Sequence, residues 1–263
     1  MELDKMIKKI LFILLLPMIS TGWLDATEIH YDRPECWQQN PNVEFQNGVF
    51  TAKGMLHFFA ANPIKVEKGK HYTLTGEVRN PDEVKLQGIC LAVIFSDQQG
   101  KQIHSRHYMN IADSETILAA PTHINDTSIL VQSNPQWKMH PHWALTVAFD
   151  IQADASDLPN PRVSTKIIHF MQEQQQIRVT LEKPLFAEFA EGTRVRLHHQ
   201  GSFYLPCPTG AWYNFCGKDW KVIGGPIQMP ANAVAFIPAV IYYDHNTTVT
   251  DFFELRAVKL TIE

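Results

Sequence analysis

An all-β sandwich is the fold class that the sequence predicts, and three observations carry it. Beyond the N-terminal stretch, no long segment repeats its apolar residues with the 3.6-residue period of a helix. Short runs rich in β-branched and aromatic residues recur instead, separated by Gly, Pro, Asn and Asp. In the run HYTLTGEV, Tyr72, Leu74, Gly76 and Val78 point one way, while Thr73, Thr75 and Glu77 point the other. Such alternation predicts a sheet with one face in a core and the other toward water or a ligand.

The clearest runs are 71–80, 85–97, 166–172, 177–182 and 254–263. Gly69 and Gly100 supply turn conformations beside the first two. Runs 166–172 and 177–182 predict a hairpin joined through Glu173–Gln176, with an apolar face made by Ile167, His169 and Met171 or by Ile168 and Phe170. Many short strands at this spacing predict a sandwich or barrel rather than a βαβ protein.

Length and composition set the outer bounds. The 263 residues allow one large domain or two small ones. Apolar residues at 45% and charged residues at 19% exclude a disordered chain. Lys plus Arg is 23 and Asp plus Glu is 27, a net charge of −4, so no broad basic field exists to favour a dedicated nucleic-acid binder.

Lys5, Lys8 and Lys9 precede an uncharged apolar run, Ile10 to Ile19, followed by Ser20, Thr21, Gly22 and Ala26. This is the order of an export signal spanning 1–26, with cleavage after Ala26 or, second, after Gly22. The run is shorter than the ~20 residues that span a bilayer, although a buried helix or uncleaved anchor would share the pattern. The expectation is a secreted, periplasmic or cell-surface protein whose mature form does not span a membrane. Export permits disulfides among Cys36, Cys90, Cys207 and Cys216. Cys207 and Cys216 flank a Pro/Gly-containing turn and are the easiest pair to close; four reduced thiols are the alternative.

Residues 47–111 contain NPIKVEKGKHYTLTGEVRN and then ICLAVIFSDQQGKQIH, with the turn Lys68–Gly69–Lys70, Tyr72, Arg79 and the hairpin turn Asp97–Gly100. These phrases resemble the first half of jelly-roll carbohydrate-binding modules of the galactose-binding-like type. The chain end, AVAFIPAVIYYDHNTTVTDFFELRAVKLTIE, resembles the last two strands of such a module. Between them, Asp126–Val131 and then Val179, Leu181, Pro184, Leu185, Gly192, Thr193 and Val195 resemble a small β-domain of bacterial and phage surface proteins. Together the resemblances imply a jelly-roll β-sandwich from 27–115 plus 200–263, with a smaller inserted β-domain at 116–199. One continuous large sandwich with long loops is the alternative. Calcium is common in such modules as a structural ion, and the resemblance implies Asp251 as its ligand.

Candidate site residues follow from chemistry. Phe203, Tyr204, Trp212, Tyr213, Phe215 and Trp220 crowd one segment, and exposed Trp and Tyr faces are natural platforms for the C–H faces of sugars. Trp212, Tyr213 and Trp220, with polar Asn214, Lys218 and Asp219 beside them, are the expected carbohydrate site, although any single ring could fill the core. Trp137 and Trp143 flank KMHPH and offer a second patch or a packed hairpin end. His140 and His142 could share a face, whereas His198 and His199 must oppose. Asp150, Asp154 and Asp157 with Asn160 could hold a hard cation, or cap a turn-rich loop.

Gln102-Ile103-His104 resembles the QIH motif of jelly-roll alginate lyases, and Glu77 and Arg79 could serve beside it, but the later Tyr/Lys strand of those enzymes has no counterpart. No Gly-x-Ser-x-Gly and no phosphate loop is present. The leading expectation is therefore a secreted, non-catalytic carbohydrate-binding protein attached to polysaccharide at a cell surface or matrix. A jelly-roll polysaccharide lyase using Gln102 and His104, and a structural surface-assembly or adhesion component, are the alternatives.

Overall fold

The computed structural model describes residues 26–54, 56–82, 86–141, 143–215, 217–243 and 252–263. Nearly all of the expected signal segment, His142, Cys216 and the expected calcium ligand Asp251 therefore lie outside the described residues.

The protein is an all-β sandwich in which every strand pairing is antiparallel. In the first large sheet the order is Lys221–Pro226, Tyr72–Arg79, Phe252–Ile262, Val49–Lys53 and Val43–Gln46, with Thr27–His30 also pairing the long final strand. In the second, Leu205–Pro206, Leu86–Ser96, Ala235–Tyr242 and Leu56–Phe59 follow one another. The alternation read from HYTLTGEV holds: Tyr72, Leu74, Gly76 and Val78 are buried and the residues between them are half-exposed. Leu74 and Val78 meet Leu91, Val93, Phe95, Phe236 and Val240 of the second sheet in one core. Each such side chain removed from water contributes about 1.5–3 kcal/mol. Trp37 stacks on Phe58, centroids 4.5 Å apart, and meets Phe50 edge-on, closing one end of that core. Among the described residues, no helix is long and apolar enough to cross a membrane.

Two smaller sheets, both drawn from residues 116–199, face each other across a core of their own. One orders Ser128–Gln132, Gln176–Leu181 and Ile167–Glu173; the other orders Leu145–Phe149, Arg194–His199 and Thr116–Ile117. Ile129, Val131, Val147, Phe149, Val179 and Leu197 fill the space between them. The hairpin joins Glu173 to Gln176 as its sequence predicts, but neither of its two expected faces is the observed one. A β-bulge between Ile167 and His169 changes the phase, so Ile167 is buried and Phe170 packs on the core while Ile168 and Met171 are exposed. One extra residue is enough to exchange the faces of a strand.

The expected Cys207–Cys216 bridge is not made. Cys207 is a free thiol, wholly buried in the main core, and its S–H donates to the Leu205 carbonyl. Burial pushes the Cys207 and Cys90 thiols well above the usual thiol range, so both are inert in place.

Residues 116–199 leave and rejoin the large sheets at one place. Ser105 Oγ donates to the Ser202 carbonyl at 2.6 Å, and the His199 amide donates to the Met109 carbonyl at 2.9 Å. Beside this stem lies Arg196, the bulkiest fully buried side chain. Its Nη2 donates to Asp157 Oδ2 at 2.6 Å and its Nε to His198 Nε2 at 2.9 Å. His198 must then carry its proton on Nδ1, which lies 2.7 Å from the Arg106 carbonyl oxygen. Asn160 completes the node: its amide NH₂ donates to the Phe149 carbonyl and to Asp157, and its backbone N–H donates to the His107 carbonyl at 2.6 Å. Burial opposes the Asp157 charge, but the Gln152 N–H, Asn160 and Arg196 outweigh it and hold the carboxyl below its usual range.

His198 answers differently. Burial chiefly, together with the neighbouring Arg196 charge, pushes its pKa from 6.5 down to about 4. The unfolded chain takes up that proton near pH 6.5 and the folded chain near pH 4, so stability is full above pH 6.5 and falls as pH drops toward 4. The slope is about 1.4 kcal/mol per pH unit for one such group. Urea midpoints at pH 7 and pH 5 should therefore lie further apart for the parent protein than for His198→Gln; equal separations would show that another group carries the dependence.

A candidate binding cleft between the two pairs of sheets

The residues expected to form one carbohydrate site are distributed over different faces. Tyr213 packs on the main core and its hydroxyl donates to the Gly224 carbonyl at 3.2 Å. Asn214 is exposed, but its carbonyl oxygen accepts the Gly88 N–H at 2.8 Å, which pins the strand Tyr213–Phe215. Trp220 lies on the outer face of the first sheet, with the guanidinium carbons of Arg79 and Arg256 at 4.5 and 4.0 Å from its ring centre. Those arginines are themselves paired with Glu254 and Glu77, so the ring is enclosed in a cation–π and ion-pair lattice. Asp219 and Lys218 are exposed beside it. Of the expected aromatics, Trp212 alone packs on the outer face of the second sheet.

That outer face is the aromatic one. Cys90, Ala92, Ala239 and Ile241 form its floor, and Phe59, Phe203, Tyr204, Trp212 and Tyr243 cover it. The small floor residues leave depth for rings. His57 Nε2 and the Tyr243 hydroxyl are 2.8 Å apart, and Tyr204 stands edge-on to Trp212 with centroids 6.1 Å apart.

At the margin of this face, a cleft of about 250 Å³ opens against the 116–199 segment. Trp212, Tyr204, Trp143, His199, Gln200, Ser105 and Ser202 are among the residues that line it. Trp143 is 37% exposed and lies 4.6 Å from the His199 ring, centre to centre. His198 and His199 oppose one another as neighbours on a strand must: the first enters the Arg196 node and the second enters the cleft. Burial, then the proximity of His140, lowers the pKa of His199, so its ring is neutral at pH 7.

Two polar atoms here are buried without a hydrogen-bond partner, His199 Nδ1 and Gln200 Oε1. Leaving such atoms unmet costs about 1–3 kcal/mol each. Folded proteins satisfy the great majority of such atoms, and both residues also line the cleft. Trp143 entered the sequence reading only as part of a second patch, and His199 and Gln200 escaped the expected site because strand phase and burial, rather than composition, set their role.

A larger groove of about 570 Å³ lies elsewhere, beside Phe45 and Phe50. Two of its amides are already engaged, Gln38 with the Ala60 carbonyl and Asn40 with the His57 carbonyl, and no Trp or Tyr is among its described lining residues. The smaller cleft is therefore the better candidate.

The remaining candidates are occupied by structural duties. Gln102 Nε2 donates to the Phe203 carbonyl at 2.7 Å. His104 Nδ1 accepts the Arg106 N–H, capping a short 3₁₀ turn, and its ring neighbour among the described residues is His107. Asp150 pairs with Arg162, Asp154 accepts the Ser156 N–H, and Asp157 holds Arg196. The three carboxylates thus do not converge, and the described residues hold no cluster of three or more His, Cys, Asp or Glu side chains fit for a metal. Trp137 is buried, with its indole N–H on the Ser114 carbonyl, as a packed hairpin end.

No family model, no curated protein and no solved structure matches the chain.

Gly201 holds the cleft in shape. Its φ is +59°, and a Cβ there would collide with Ser105 Oγ and lie 2.9 Å from the Arg106 amide nitrogen. Gly192 also has positive φ, +82°, but opens onto empty space. Gly192→Ala should cost only the ~1–2 kcal/mol of a left-handed residue, whereas Gly201→Ala should cost clearly more because the stem must shift. Urea unfolding of both variants measures the difference; equal losses would mean that the stem yields freely.

Proposed function

We propose that the protein is a secreted, non-catalytic carbohydrate-binding sandwich of jelly-roll type that attaches to polysaccharide at a cell surface or matrix through the Trp143–Trp212 cleft. One observation carries this reading: two tryptophans and a tyrosine, Trp143, Trp212 and Tyr204, line one cleft together with the polar residues Ser105, His199, Gln200 and Ser202. Sugars need that combination, an apolar platform for their C–H faces and fixed polar groups for their hydroxyls. The export-like N-terminus and the module-like strand phrases agree with it.

Pull-down on a panel of insoluble polysaccharides, or a glycan array, tests the proposal. Trp143→Ala and Trp212→Ala should each weaken binding by about tenfold or more, as the loss of an anchoring aromatic does. Trp220→Ala, on the far side of the sandwich, should leave it unchanged. Binding that persists in both cleft variants and falls with Trp220 would move the site to the outer face of the first sheet. Absence of binding to any glycan would remove the carbohydrate reading and leave the surface-assembly role.

A further inference from the structure

We infer that the seam between the two pairs of sheets is an acid-operated hinge: on mild acidification the turn Ser105–His107 parts from the strand Arg194–His199 and from the loop 157–160, while both cores stay folded. The inference does not depend on what the cleft binds.

Each pair of sheets closes its own apolar core, one around Leu74, Leu91 and Phe236 and the other around Val147, Val179 and Leu197. Leu158 packs on the larger core across the seam, but the turn itself is held by hydrogen bonds. The Asn160 N–H donates to the His107 carbonyl at 2.6 Å, His198 Nδ1–H donates to the Arg106 carbonyl at 2.7 Å, and the Ser105 N–H donates to the Ser202 carbonyl at 3.1 Å. Local opening of this kind breaks polar contacts without dismantling either core.

Three histidines stand in the seam, and each uses a ring lone pair to accept an N–H from an arginine. His104 Nδ1 accepts the Arg106 backbone N–H at 3.2 Å, His107 Nε2 accepts Arg106 Nε–H at 3.5 Å, and His198 Nε2 accepts Arg196 Nε–H at 2.9 Å. A protonated imidazole has no lone pair, so each proton taken up breaks one of these bonds and sets donor against donor. The surrounding charge opposes the uptake as well. Among the described residues, the cations acting on these rings are Lys101, Arg106 and Arg196, and the one carboxylate is Asp157. Asp157 is already shared by Arg196 and Asn160.

Burial chiefly, then the Arg106 charge, brings His104 and His107 from 6.5 down to about 4, with His104 and Lys101 adding to the effect on His107. His198 is lowered to the same level, again chiefly by burial. A histidine released into water returns to about 6.5, so the open form takes up protons first as pH falls. The closed seam is therefore at full strength above pH 6.5 and weakens as pH drops toward 4. At pH 5, each histidine that the opening exposes favours the open form by about thirtyfold. The cleft draws Trp143 and His199 from the 116–199 segment and Tyr204 and Trp212 from the larger sandwich, so the same opening takes it apart.

Amide hydrogen exchange on the full chain tests the hinge, read as protection factors at pH 7 and pH 5 so that the intrinsic pH dependence of exchange cancels. The Ser105, Arg106 and Asn160 amides should lose at least tenfold in protection. The core strands Tyr72–Arg79 and Gln176–Leu181 should change by less than about threefold. Combining His104→Asn, His107→Gln and His198→Gln should hold the seam's loss below about threefold. Asn keeps the capping acceptor at 104, and Gln keeps both a donor and an acceptor at 198. His123→Gln, at an exposed position, should leave the loss unchanged. Seam and core amides losing protection together would mean global unfolding and overturn the hinge. Seam protection that stays constant between the two pH values, or a full loss that persists in the triple variant, would overturn it too. If the triple variant does not fold, His104→Asn alone decides: the seam's loss should shrink at least threefold, and an unchanged loss refutes the inference.

Discussion

A buried guanidinium organises this molecule. Arg196 is withdrawn from water at the stem where the smaller sheets join the larger ones, and Asp157 and His198 receive it there. An isolated charge in that position would be prohibitive, and removing one partner of such a pair typically costs about 3–5 kcal/mol. His198 passes the constraint across the junction, because its second nitrogen lies against the Arg106 carbonyl at the start of the stem. The node therefore fixes the phase of the strand Arg194–His199, and with it the side from which His199 and Gln200 approach Trp212.

The two outer faces of the large sandwich use the same residue types for different ends. On the first sheet, Glu77, Arg79, Glu254 and Arg256 pair across strands and clasp Trp220. These side chains are partly solvated, so the lattice contributes modest stability and leaves little apolar surface open. On the second sheet the described residues form no such lattice. Small residues under Tyr204, Trp212 and Tyr243 make a recess that the 116–199 segment walls on one side. A tryptophan is thus a structural lid on one face and a cleft wall on the other, and the difference lies in what its neighbours already hold.

Much of this was legible along the chain, and the failures have definite causes. Period-two burial at Tyr72–Arg79 follows from the letters because that strand runs unbroken through the core. The Glu173–Gln176 hairpin was equally readable, but its face was not, because a bulge at Ile168 is invisible in the pattern. The aromatic segment 203–220 announced rings without saying that the chain turns between Trp212 and Trp220 and delivers them to opposite surfaces. The opposition of His198 and His199 was predictable, but which faced a network and which faced a cleft depended on Asp157 and Trp143, about forty and fifty-five residues away in sequence.

The pairing of Ser105 with Ser202 bears on the order in which the chain acquires its shape. The two residues are 97 positions apart, yet they share reciprocal hydrogen bonds. For the strand Leu205–Pro206 to find Leu86–Ser96, the chain must close that interval. Closing it as coil carries an entropic cost that grows with the logarithm of its length. If the smaller sheets form first, Met109 and His199 are already side by side, and the interval left to close shrinks to a few residues at each end. Early formation of the smaller sheets thus lowers the kinetic barrier for the larger ones, and the long excursion acts as a clamp on the search rather than a burden to it.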